Sequence, residues 1–154
     1  MGSERDTNNS KKNKRLGLMI WFRLSRVYNH SIRRNNEHLR EWGLTSAQFD
    51  ILIQVGIHNE ITQKELGEKL FVTKGNITQL LVKMEKLGWV QRKQDWKTKT
   101  ISLTDQGQKL YDEVVPDQED FQASQFCGLD PTEQMQLIDL LKKVQKHMES
   151  TEEN

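Results

Sequence analysis

Apolar positions along this chain fall into two periods. From Leu16 onward most recur at three and four residues, the spacing of one helical face, with polar side chains between them. Between Gly88 and Thr104 the period shortens. Trp89-Val90-Gln91-Arg92 and Thr100-Ile101-Ser102-Leu103 alternate apolar and polar as half-buried strands do, and the segment 93–99 turns the chain back. Start and stop signals divide the helical part. Thr45-Ser46-Ala47-Gln48 and Thr62-Gln63-Lys64-Glu65 are capping boxes, in which the Thr hydroxyl accepts from the fourth residue's N–H and that residue's side chain reaches back. Asp130-Pro131-Thr132-Glu133 places Pro at a first helical position, where its missing N–H costs nothing. Thr73 and Thr104 are simpler N-caps, and Gly43 and Gly88 stand where a glycine closes a helix. The pattern predicts helices over 16–42, 45–58, 62–70, 73–87, 104–126 and 130–149, the fifth kinked or broken at Pro116. The fold class is mainly α with one small β-hairpin. Residues 1–15 show no periodicity and are expected to form a mobile basic arm, and 150–154 a frayed tail.

Two of these helices, 62–70 and 73–87, are joined by Phe71-Val72, a connection as tight as that of a helix-turn-helix. Leu66, Leu70 and Val72 anchor the first on a core. On the second, Ile77, Leu80, Leu81, Met84 and Leu87 share one face at 100° per residue. The opposite face presents Gly75, Thr78, Gln79, Val82 and Lys86, flanked by Lys74, Asn76 and Lys83. That composition suits a DNA major groove. Gln and Asn bond bidentately to adenine, Thr bonds either way, and Val82 matches a thymine methyl. Lys74 and the helix N-terminus suit phosphate. Val82 expected on this face, together with Gly75 near the helix start, fits a surface against which DNA packs closely.

The hairpin that follows is a basic ribbon, a wing, with Arg92, Lys93, Lys97 and Lys99 against Asp95. Trp96 at its tip is an exposed loop aromatic, a groove contact, or a side chain folded back on the strands; the sequence leaves all three open. Charge sharpens this picture. The whole chain of 154 residues holds 23 Lys+Arg and 22 Asp+Glu, for a formal charge of +1. Residues 1–103 carry 19 basic and 10 acidic side chains, whereas 104–154 carry 4 and 12. Residues 62–99 alone hold 9 basic and 4 acidic residues, so the positive charge falls on the helix pair and hairpin.

The segments 44–52 (LTSAQFDIL), 61–93 (ITQKELGEKLFVTKGNITQLLVKMEKLGWVQRK), 101–111 (ISLTDQGQKLY) and 129–141 (LDPTEQMQLIDLL) together resemble the MarR family of bacterial transcription regulators, over residues 16–149. The resemblance implies a winged helix-turn-helix over 43–103. It also implies dimerisation helices at 16–42 and 104–149, and an obligate homodimer on a pseudo-palindromic double-stranded operator, repressing transcription or less often activating it. With that reading, the helix face and the hairpin give the expected DNA contacts as Lys74, Gly75, Asn76, Thr78, Gln79, Lys83, Arg92, Lys97 and Lys99. Many members are released from DNA by small aromatic ligands. Trp21, Tyr28, Trp42 and Phe49 lie near where the family's ligand cleft forms. The wing departs from the family's Asp-x-x-Asp-Arg-Arg pattern. Here Asp95-Trp96-Lys97 runs straight into Thr98-Lys99-Thr100, about three residues short and without a tip arginine. Lys97 or Lys99 replaces it as a phosphate contact, but without the planar fork of Arg.

Other chemistry is scarce. The length leaves no room for large barrels or two-domain dinucleotide enzymes. The longest apolar run, Leu16 to Phe22, has seven residues where a membrane span needs about 20, so a cytoplasmic protein is expected. The four histidines show no metal-ligand spacing, no cofactor motif or nucleophile elbow is present, and no enzyme activity is expected. Cys127, outside the first helix where the family's peroxide-sensing thiol sits, reads as an inert thiol near the interface. An apolar share of 34%, lean for an independent domain, agrees with two chains sharing a core; Ile20, Leu24 and Val27, and Leu137, Leu141, Val144 and Met148, repeat at packing-helix spacing. The competing reading is a winged-helix adapter for other proteins, which the shortened wing favours.

Overall fold

The structure, a computed structural model, describes the backbone of residues 3–70 and 72–152 and the side chains of 11–70, 72–94 and 96–151. The elements are α1 (Ser3–Leu39), a 3-10 turn (Arg40–Trp42), α2 (Ser46–His58), β1 (Ile61–Thr62), α3 (Gln63–Leu70), α4 (Lys74–Lys86), β2 (Val90–Asp95), β3 (Thr98–Leu103), α5 (Asp105–Ser124) and α6 (Pro131–Glu152). The chain divides into two compact units, Met1–Gln118 and Glu119–Asn154, the division falling inside α5.

Local chemistry sets these boundaries. In the first box Gln48 N–H donates to Thr45 Oγ1 (3.3 Å) and Thr45 N–H to Gln48 Oε1 (3.0 Å). In the second, Thr62 N–H and hydroxyl both donate to Glu65 Oε2 (2.9 and 2.7 Å), holding that carboxyl below its ordinary value. Asp130 and Glu133 exchange two 3.0 Å bonds ahead of α6. Thr73 and Thr104 accept from Asn76 N–H (3.4 Å) and Gly107 N–H (3.0 Å). Gly88, at φ +77°, closes α4: its N–H donates to Glu85 O and that of Trp89 to Met84 O, both at 3.0 Å, the paired bonds of a Schellman turn.

Four expectations need correction. The helix begins at Ser3, not at 16: no Pro or Gly interrupts 3–16, and extending an established helix costs far less than nucleating one. Of the kink or break expected at Pro116, the break does not occur: α5 continues through it. The carbonyl that Pro116 leaves without an amide partner belongs to Asp112, on an exposed stretch where water can take its place. Ser150–Glu152 continue α6, while residues 153–154 lie outside the described residues. Finally, the hairpin is part of a three-stranded antiparallel sheet ordered β1-β3-β2, with Ile61 opposite Ile101 and Thr62 opposite Thr100. Phe71 of the predicted tight connection also lies outside the described residues; Val72 beside it packs half-buried on the core.

The core of the first unit joins Phe49, Leu52 and Val55 of α2 to Leu66 of α3, to Ile77, Leu81 and Met84 of α4, and to Val90 and Ile101 of the sheet. Leu39 of α1 and Val114 and Val115 of α5 complete it. Leu87, expected on this face, is exposed as the C-cap of α4. In the second unit, Gln134 donates to the carbonyls of Leu129 (3.0 Å) and Phe126 (3.2 Å), fastening the turn to α6. Among the described residues no helix is long and apolar enough to cross a membrane.

Candidate nucleic-acid interface

α4 is presented by its own sequence. Ile77, Leu81 and Met84 fix one face in the core, which leaves Lys74, Gly75, Asn76, Gln79 and Lys83 exposed on the other. Its first turn carries no acidic residue, so the partial positive charge of the helix start is not offset there. Lys97, Thr98 and Lys99 of the wing line a groove of about 770 Å³ together with Lys64 of α3 and Lys74 and Thr78 of α4. Four lysines therefore border one groove at the N-terminal end of α4.

Two of the expected DNA contacts have other partners. Thr78 is half-buried; its hydroxyl donates to Lys74 O (2.7 Å) and accepts from Gln63 Nε2 (2.7 Å). It ties α4 to the start of α3 and has little hydrogen-bonding capacity left for a base. Arg92 is turned from the wing surface onto α4, where its Nε donates to Glu85 Oε2 (3.0 Å) and its Nη2 to the same oxygen. The guanidinium holds the Glu85 carboxyl below its ordinary range. Register separates Arg92 from its neighbour: Arg92 lies opposite buried Ile101, with its side chain half-buried, whereas Lys93, one position on, faces the other side and is exposed; Lys97 and Lys99, nearer the tip, are exposed as well.

Gln63 is the residue that sequence reasoning missed. It appeared only as the second position of a capping box, yet its amide nitrogen bridges to Thr78 and its buried Oε1 has no hydrogen-bond partner among the described residues. The four aromatics assigned to a ligand cleft are not alike. Phe49, 1% exposed, is a core residue, and core packing accounts for it. Trp42 packs half-buried against the core with its ring 5.5 Å from that of His38, which itself contacts Gln118 (2.7 Å) and Asp117 (3.1 Å) of α5. Trp21 and Tyr28 are 63% and 66% exposed on α1. Cys127 is exposed. No group of three or more His, Cys, Asp or Glu with metal-binding geometry occurs among the described residues.

Two short helices packed as a turn, the second with an exposed polar face and followed by a basic hairpin, define a winged helix-turn-helix protein. Comparisons give the family. A model of the MarR family matches residues 42–95. An uncharacterised HTH-type transcriptional regulator of Bacillus cereus is 47% identical over 138 residues, 89% of this chain and 94% of that protein. YkoM, an uncharacterised HTH-type transcriptional regulator of Bacillus subtilis, is 36% identical over 124 residues, 79% of this chain and 78% of that one. Among solved structures, a mutant of MarR from E. coli complexed with operator DNA matches at a TM-score of 0.71 and 29% identity, over 84% of this chain and 92% of the other. The chain belongs to the MarR family of HTH-type transcriptional regulators, proteins that act as regulators and not as enzymes.

Proposed function

We propose that this regulator is a cytoplasmic repressor that binds a pseudo-palindromic operator as a homodimer, with α4 in the major groove and the wing beside it. The observation that carries this reading is that the start of α4, at Lys74, and the lysines of the wing border the same groove, while Asn76, Gln79 and Lys83 of α4 are exposed. Gln79 and Asn76 have the donor–acceptor pairs to read adenine, and Lys74, Lys83, Lys97 and Lys99 supply charge for phosphate. The solved relative complexed with operator DNA supports DNA as the partner. Arg92 and Thr78 act within the fold, bracing the surface rather than touching the duplex.

Dimerisation is supported by apolar side chains that a single chain leaves in water. Ile20 and Val27 on α1, and Leu141, Val144 and Met148 on α6, are all exposed. Burying such faces between two chains recovers roughly 25 cal/mol per Å² of apolar surface. For a small aromatic effector that releases the DNA, Trp42 offers one contact and Trp21 and Tyr28 another; Trp21 lies too far along α1 to reach the same small ligand as Trp42 of its own chain, and Phe49 is occupied by the core.

The test is an anisotropy titration of the chain against duplex fragments upstream of its own gene, repeated across salt concentrations. Tight binding to one fragment with a steep negative salt slope supports operator recognition. Weak, salt-insensitive association with every fragment would favour the protein-interaction adapter instead.

A further inference from the structure

The wing tip holds a residue that its basic strands do not explain. Asp95 pairs with Thr98, so only Trp96 and Lys97 make the turn. In such two-residue hairpins a positive φ at the first turn position favours glycine. That position is held by Trp96 at φ +53°, a backbone conformation in which a bulky side chain is strained. The strain is not offset inside the chain, because the indole is 94% exposed. Of the three sequence readings, folding back onto the strands is thereby excluded. Glycine would suit the turn better, and a polar side chain would suit the water better. A partner outside the chain accounts for both departures, and the surroundings give its chemistry. Lys93, Lys97 and Lys99 are exposed on the same hairpin, and Lys97 and Lys99 border the groove that leads to the first turn of α4. The partner is a polyanion that also lies against α4.

We propose that Trp96 is the wing's groove contact, an apolar wedge that enters the minor groove of duplex DNA and packs on deoxyribose and base edges. Minor-groove proteins use apolar wedges in this way, and an aromatic face stacks on any base. The wedge stands where this short wing lacks an arginine, so that charge comes from Lys97 and Lys99 while the tip supplies contact area. The inference rests on the reading that α4 and the wing bind duplex DNA.

The experiment uses the full chain and a duplex that the wild type binds, with Trp96→Ala, Trp96→Gly and Trp96→Phe compared across salt concentrations. Apolar contact releases no counterions. Ala and Gly should therefore weaken binding by about ten-fold or more at every salt concentration and leave the salt slope unchanged, while Phe retains most of the affinity. Trp96→Gly should at the same time raise the melting temperature, because it relieves the turn; weaker binding by a more stable protein cannot be a folding defect. Unchanged affinity in the Ala and Gly variants overturns the proposal and leaves the wing tip to some other partner. A loss accompanied by a slope smaller by about 0.9 also overturns it, since Trp96 would then act by positioning Lys97. Failure of the wild type to bind any duplex removes the DNA-binding reading itself, and this inference with it.

Discussion

Arg92 and Glu85 fasten the wing to the helix beside it: the guanidinium on β2 donates twice to one carboxylate oxygen on α4, its Nε at 3.0 Å. Arg92 thereby leaves the set of wing cations that face outward and ties β2 to α4. The Glu85 side chain is 39% exposed and that of Arg92 25%, so solvent screening keeps the pair's contribution to stability below about 1 kcal/mol.

Glu85→Gln should accordingly lower stability slightly at neutral pH. The sign with pH follows from the lowered carboxyl pKa. The pair's contribution is complete above the ordinary value of 4.5 and is lost as pH falls through the lower folded value. The melting-temperature gap between wild type and variant should be constant from pH 6 to 8 and close below about 4.5. A gap that widens in acid would show that Arg92 does not stabilise the charged form.

Two glycines should respond in opposite directions. A Cβ on Gly107 would stand 1.8 Å from the Trp89 carbonyl oxygen, a backbone atom that cannot swing away. Gly107→Ala should cost about 3 kcal/mol or more, read from denaturant unfolding. A Cβ on Gly75 meets nothing within 4 Å. Gly75→Ala should stabilise α4 by roughly 0.5 kcal/mol, yet weaken DNA binding if the duplex packs against the start of that helix.

Lys97→Ala should weaken binding to all duplexes alike and reduce the salt slope by about 0.9, the loss of one phosphate contact. Arg92→Ala should leave that slope nearly intact. Equal slope changes in the two variants would mean that Arg92 leaves Glu85 for phosphate in the complex.

Val144→Lys places a charge on an exposed apolar face of α6. The folded chain should tolerate it, with a circular dichroism spectrum like that of wild type. The dimer should not: an unpaired buried charge costs on the order of 3 kcal/mol, over a hundred-fold in dissociation constant. Analytical ultracentrifugation that shows wild-type dimerisation in the variant would place the interface elsewhere.

Much of the fold was legible because its signals are local. The pairs Thr45–Gln48, Thr62–Glu65 and Asp130–Glu133 lie three residues apart, so their geometry is already implied by sequence. The core face of α4 followed from its period. β1 was not legible, since two residues cannot display an alternation and Ile61 becomes a strand only by meeting Ile101, forty positions on. The site shows the same division. The exposure of Lys74, Gly75, Asn76, Gln79 and Lys83 followed from the helix period, but Thr78 and Val82 of the same expected face are half-buried, and the tie of Thr78 to Gln63 and of Arg92 to Glu85 depends on how α3, α4 and β2 pack. The conformation of Trp96 depends on a turn whose length only the strand register reveals.

If the exposed face of α4 reads base sequence, Gln79 is the side chain whose loss must change base preference. Wild type and Gln79→Ala should be titrated against a duplex the wild type prefers and against every single-base variant of its half-sites. The substitution should abolish discrimination at one position of each half-site, a loss of about 1–3 kcal/mol, while preferences elsewhere persist. Unchanged discrimination at every position would contradict base reading by this face.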